Sequence, residues 1–159
     1  MKGDKRVIEV LNQALTIELT AINQYFIQAK MLKNWGYGAL AKTMLEESIG
    51  EMKHADRLIE RILFLEGMPN IARYGAIRVG SSVPAQLAND LKLELEGVKA
   101  YNDAVDFAAK AKDNVTRELL EDILVESEAH VDWLETQLSQ IESVGLQNYL
   151  AEKLGEDPK

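Results

Sequence analysis

A chain of 159 residues, 47% hydrophobic and 28% charged, has the size of one domain with its own core and falls outside the disordered and fibrous classes. Its 26 acidic and 18 basic residues give a net charge of −8, which disfavours nucleic acid and anionic membranes as partners and favours small cations. The absence of cysteine excludes disulfides and thiolate chemistry, and apolar runs of only a few residues exclude a transmembrane helix.

The opening Met1-Lys2-Gly3-Asp4-Lys5-Arg6 leads into an amphipathic segment, so no secretory signal and a cytoplasmic location are expected. The first predicted helix, residues 5–33, carries Leu11, Leu15, Ile22, Tyr25, Ala29 and Leu32 at the spacings of three and four that mark one helical face. It stops at Asn34-Trp35-Gly36-Tyr37-Gly38. The second, 39–66, carries Leu40, Met44, Ala55, Leu58, Ile62 and Leu65. A long break follows, from Gly67-Met68-Pro69-Asn70 to Ser81-Ser82-Val83-Pro84. The third helix, 84–111, carries Leu87, Leu91, Val98, Tyr101 and Val105, and Asp113 or Asn114 is placed to cap the fourth. The fourth, 114–144, carries Leu120, Ile123, Leu134 and Ile141 and is closed by Gly145; a short helix over 147–154 follows through Tyr149, Leu150 and Leu154. At about 1.5 Å per residue each long helix reaches about 40 Å. The short first and third links join antiparallel neighbours and the long second one crosses the length of the bundle. The expectation is an all-α four-helix bundle with one long crossover and a short fifth C-terminal helix, a single domain over 1–159.

Ionisable residues interrupt the apolar stripes. Glu18 lies between Leu15 and Ile22, Glu51 and His54 between Met44 and Leu58, and Glu94 between Leu91 and Val98; Ser127 and His130 lie between Ile123 and Leu134. The chain has two histidines, and both fall in such inward gaps. Each interruption sits near mid-helix, so all are expected to meet in one slab of the core. A single glutamate on a helix is ordinarily solvated and a single inward histidine is ordinarily a hydrogen-bonded core residue. Four stripes interrupted at one level call for a different account. Buried carboxylates cost several kcal/mol unless paired, and adjacent ones repel. No lysine or arginine occupies the facing stripes, so a divalent cation is the expected partner. Mixed oxygen and imidazole ligands suit iron, manganese or zinc better than calcium.

The residues resemble bacterioferritin over nearly the whole chain. The resemblance is carried by Met1-Lys2-Gly3-Asp4, Glu18-Leu19-Thr20-Ala21-Ile22-Asn23-Gln24-Tyr25-Phe26 and Glu47-Ser48-Ile49-Gly50-Glu51-Met52-Lys53-His54-Ala55-Asp56. Further on it is carried by Arg61 to Gly67, Asp90 to Glu94, and His130-Val131-Asp132-Trp133-Leu134-Glu135-Thr136-Gln137-Leu138. Two single glutamates and two Glu-x-x-His pairs are the general layout of such ferritin-like di-metal bundles. The resemblance implies iron storage and detoxification in a hollow shell of 24 identical subunits, with a ferroxidase that uses oxygen or peroxide at a di-iron centre. By position, Glu18 and Glu94 would be terminal carboxylate ligands, Glu51 a bridging one, and His54 and His130 one imidazole per iron. It also implies haem b between two-fold related subunits, with Met52 as axial ligand, and a ferredoxin-type reductant for iron release. Met52 lies about 100° around the helix from Glu51. Leu45, Ile49 and Met52, and Leu19 with Phe26, form outer apolar rows that suit a partner subunit, where Met52 is otherwise an ordinary interface methionine. Tyr25 is placed either to support a ligand or as a core aromatic.

The sequence departs from the family on the fourth helix. The second Glu-x-x-His pair reads Ser127-Glu128-Ala129-His130, so one bridging carboxylate is missing, and Glu126, at the margin of the stripe, is the nearest substitute. Gln28, Glu46 and Gly50 stand where some members carry histidine or aspartate, which puts an auxiliary inner-surface iron site in doubt. Two other readings stay open: a haem-carrying structural subunit with an impaired ferroxidase centre, and a non-storage di-iron oxidoreductase or peroxidase.

Overall fold

Asp4 starts the first helix: its carboxylate accepts from the Arg6 amide at 2.7 Å, and α1 then runs over Lys5–Asn34. Gly36, at φ 91°, turns the chain, and α2 covers Gly38–Phe64. In this computed structural model, described over residues 1–155, α3 spans Val83–Lys110, α4 Asn114–Val144 and α5 Leu146–Ala151. Ser82 caps α3 through the Ala85 amide, and Asp113 caps α4 through the Thr116 amide. The described residues contain no strand, and no helix among them is long and apolar enough to cross a membrane. The expected single domain extends to 159; residues 156–159 lie outside the described ones.

Two boundaries differ from the sequence expectation by more than one residue. Helix α2 ends at Phe64 rather than 66 because Glu66 turns to φ 62°, a left-handed conformation that no helix continues through. Helix α5 ends at Ala151, three residues short of 154; Tyr149 fixes it to α4 by donating to Gln137 Oε1 at 2.8 Å.

Cross-helix contacts set the directions. Tyr101 meets Glu18 and Tyr25 meets Glu94, so α1 and α3 run antiparallel. Arg61 meets Asp113 and Arg57 meets Asp122, so α2 and α4 do too. The apolar core comes in two parts. Val7, Leu11, Leu15, Leu58, Ile62, Leu120 and Ile123 fill one end; Tyr25, Leu32, Leu40, Met44, Leu87 and Leu134 fill the other. Each fully buried Leu or Ile contributes about 1.5–3 kcal/mol. Between the two parts lies the level of Glu18, Glu51, His54, Glu94, Ser127 and His130, all buried.

The crossover from 65 to 82 lies along α1, held by one polar side chain per helical turn. Asn12 takes the Asn70 amide at 2.8 Å, Thr16 the Arg73 guanidinium at 3.0 Å and Thr20 the Gly75 amide at 2.8 Å. Gln24 and Gln28 then take the amides of Arg78 and Gly80 at 3.0 and 3.1 Å. Spacing four keeps all five on one face of α1. Gly80 is required here by close approach: a Cβ would lie 2.3 Å from the Gln86 nitrogen.

Candidate metal centre

The four-residue rhythm of α2 brings Glu47, Glu51 and, one turn further, His54 onto the inward face. Two groups of ligand atoms form around Glu51, each within 4.8 Å of one another: Glu18, Glu51 and His54, and Glu47, Glu51 and His130. His54 Nδ1 lies 3.3 Å from Glu51 Oε2 and 3.5 Å from Glu18 Oε2. His130 Nδ1 lies 3.0 Å from Glu94 Oε1 and 3.4 Å from Glu47 Oε2. Glu51 thus stands between two carboxylate–imidazole groups, contributed by all four long helices.

Two tyrosines brace Glu18 and Glu94. Tyr101 donates to Glu18 Oε1 at 2.6 Å, and Tyr25 donates to Glu94 Oε1 and lies edge-on to the His130 ring. Burial, then the neighbouring carboxylate, raises both phenols well above their usual range. They stay protonated and act as donors. A turn away from Glu94, Asp90 Oδ1 accepts from Gln24 at 2.8 Å and Gln28 at 2.6 Å, which links the site level to the residues that hold the crossover.

The electrostatics are those of crowded buried carboxylates with only two imidazoles among them. Burial and the adjacent Glu18 carboxylate push Glu51 up to about 8, and burial pushes Asp90 up to about 7. Glu47 is raised, again mainly by burial. For His54 burial opposes the proton, but Glu18 and Glu51 outweigh it and the pKa rises to about 11; His130 is raised in the same way against its own burial, chiefly by Glu94. Among the described residues, no lysine or arginine lies within ion-pair distance of these glutamates. Glu18 Oε2 and His130 Nε2 are buried without a hydrogen-bond partner. Such a donor set, rich in anionic oxygen with two imidazoles, fits divalent first-row metals.

Of the residues singled out by sequence, Glu18, Glu51 and His54 fall in one group; His130 falls with Glu51 in the other, and Glu94 is in contact with that His130. Ser127 is buried at the same level but brings no charge. Glu126 reaches the site from α4 and meets His54 at Nε2, on the far side of the ring from Glu18 and Glu51; it therefore supports that imidazole rather than standing beside His130. Met52 is 46% exposed in an outer row with Leu45, Ile49 and Phe26. Gln28 is fully buried and committed to Asp90 and Gly80, away from any surface site. Sequence reasoning missed Glu47, Asp90 and the ligand-bracing role of Tyr101. Glu47 was findable, since it precedes Glu51 by one helical turn.

An up-down-down-up bundle with a long crossover and a mid-core carboxylate–histidine level defines a ferritin-like protein, and a ferritin-like domain model matches residues 8–144. The chain is 44% identical over 149 residues to a bacterioferritin of Brucella melitensis, covering 94% of this chain and 92% of that one. It is likewise 44% identical to a bacterioferritin of Rhodobacter capsulatus over the same shares, and 39% identical to one of Mycobacterium avium over 99% of both chains. The chain belongs to the bacterioferritin family.

Proposed function

We propose that this chain is an iron-storage subunit that oxidises iron(II) in the centre of its bundle and, as a cytoplasmic shell of 24 copies, retains the ferric product as mineral. The observation that carries this reading is the surplus of buried acceptors: four carboxylates meet two imidazoles, and among the described residues no lysine or arginine pairs with them. Family membership supports iron storage as the role.

Iron(II) is the substrate. Glu18, Glu51 and His54 would receive one ion; Glu94 and His130, with the shared Glu51, would receive the second. Binding displaces the proton held on Glu51 and those held between the imidazoles and their carboxylates. Anionic oxygen ligands favour iron(III), so each iron(II) gives up one electron. Dioxygen that takes both electrons and two protons leaves as hydrogen peroxide; peroxide that takes two electrons and two protons leaves as water. The tyrosines hold Glu18 and Glu94 in place, Glu126 holds His54, and the apolar parts of the core above and below exclude water.

Met52 suits haem b held between two copies: its thioether is a soft ligand on an apolar face that is exposed in the single chain. Haem bound there would supply one-electron transfer, with a ferredoxin-type reductant as the source of electrons for iron release. The crossover's exposed Ile71, Tyr74, Ile77 and Val79 extend the apolar surface available to neighbouring subunits.

Ser127 favours a second reading, in which the subunit carries haem but oxidises iron poorly. Aerobic additions of iron(II) to the purified assembly separate the two. Oxidation faster than in buffer, with iron co-eluting with the protein at the size of a large shell, supports storage. Uncatalysed oxidation, with haem bound, supports the second reading, and a small active species indicates a non-storage oxidoreductase.

A further inference from the structure

Residue 127 leaves the second metal position one carboxylate short, and its serine hydroxyl is neutral. On α2, however, Glu47 lies four residues before Glu51 on the same face and brings Oε2 to 3.4 Å from His130 Nδ1. Glu47, Glu51 and His130 place one ligand atom each within 4.8 Å, and Glu94 Oε1 stands 3.0 Å from the same imidazole nitrogen. One ring nitrogen carries at most one proton, so it cannot satisfy carboxylate oxygens arriving from both α2 and α3. The other nitrogen of His130, a residue only 5% exposed, is without a partner. The acceptors exceed the donors here, and a cation is what balances them.

We infer that Glu47 supplies the carboxylate that Ser127 does not, so that the second metal ion is held by Glu47, Glu51, Glu94 and His130. This rests on the reading of the centre as a two-metal site and adds a ligand from α2 in place of one from α4. The substitution makes the two positions unequal. Glu18 seals the first at 1% exposure, whereas the side chain of Glu47 is 33% exposed. The second position therefore opens towards solvent and exchanges its metal faster.

Titration of the purified, iron-free assembly with cobalt(II), followed by its visible absorption and by calorimetry, tests this. The wild-type protein is expected to bind two ions per subunit in two steps. Glu47→Ala and the near-isosteric Glu47→Gln should keep the tighter step and its spectrum, and weaken the other by at least about a hundredfold, the upper end of what losing an outer partner costs. Glu47→Gln guards against a folding defect, because it preserves volume at a partly exposed position. Two ions bound with unchanged affinity in both variants would overturn the role of Glu47 alone. Failure of the wild-type protein to bind two ions would overturn the two-metal reading beneath it.

Discussion

Glu18 on α1 and Tyr101 on α3 are joined by a buried hydrogen bond of 2.6 Å, and the same pairing recurs in reverse between Tyr25 on α1 and Glu94 on α3. Both helices carry a glutamate followed seven residues later by a tyrosine, so antiparallel packing pairs each acid with the other helix's phenol. This reciprocal brace fixes the axial register of α1 against α3 at the level of the buried carboxylates and histidines.

Removing one hydroxyl should be costly in a defined way. Tyr101→Phe leaves Glu18 without a hydrogen-bond donor, a loss of about 1–3 kcal/mol in the metal-free protein. Thermal denaturation should show a lower midpoint, partly recovered when zinc(II) saturates the site. An unchanged midpoint would mean that the brace contributes nothing.

The pH dependence of stability should have an unusual sign. In the metal-free protein Glu51 titrates at about 8 and Asp90 at about 7, and both return to the ordinary carboxylate range on unfolding. Between about pH 4 and 8 the folded state therefore holds more protons than the unfolded one, so their contribution is present on the acid side and lost as pH rises. His54, raised to about 11, adds stability that is full below its ordinary pKa and lost as pH climbs towards 11. Calorimetry should show the metal-free melting temperature falling from about pH 5.5 to 8.5. The stabilisation by zinc(II) should grow over that interval because metal replaces protons. A zinc(II) effect independent of pH would argue against ligation by these groups.

Ser127→Glu should restore a carboxylate from α4. The expected result is tighter binding of the second ion, by about 10–100-fold, and faster iron(II) oxidation in stopped-flow mixing. A rate equal to that of the unaltered protein would show that position 127 does not limit the reaction.

Glu126→Gln addresses the other imidazole. With the anion behind Nε2 gone, His54 loses both basicity and orientation, and affinity at the tighter position should fall by about 10–100-fold. Binding at the second position should hold steady; equal losses at both would point to a general disturbance of α4.

Met52→Leu keeps the apolar bulk but removes the sulfur. The haem absorption band should disappear from the purified assembly while cobalt(II) binding in the bundle persists. Retention of the band would assign haem to other ligands.

Much of this was legible because burial acts through helical period. The apolar stripes located four helices, and their interruptions located Glu18, Glu51, His54, Glu94 and His130. What escaped depended on register between helices. Tyr101 looks like an ordinary core aromatic, and Tyr25 reads equally as a core aromatic or a ligand support, until the glutamate opposite each is known; Asp90 looks like a surface acid until Gln24 and Gln28 close over it. Glu126 lies at a stripe margin, where periodicity alone leaves its direction open. The row Asn12, Thr16, Thr20, Gln24 and Gln28 obeys the same period as the core, but a polar row ordinarily signals a solvated face.

That row has a consequence for hydrogen exchange. Because the amides of Gly75, Arg78 and Gly80 terminate on side chains rooted in α1, releasing them requires either breaking several bonds together or opening the helix itself. The segment that elsewhere would be the first to fray is thereby made to share the lifetime of its underlying helix.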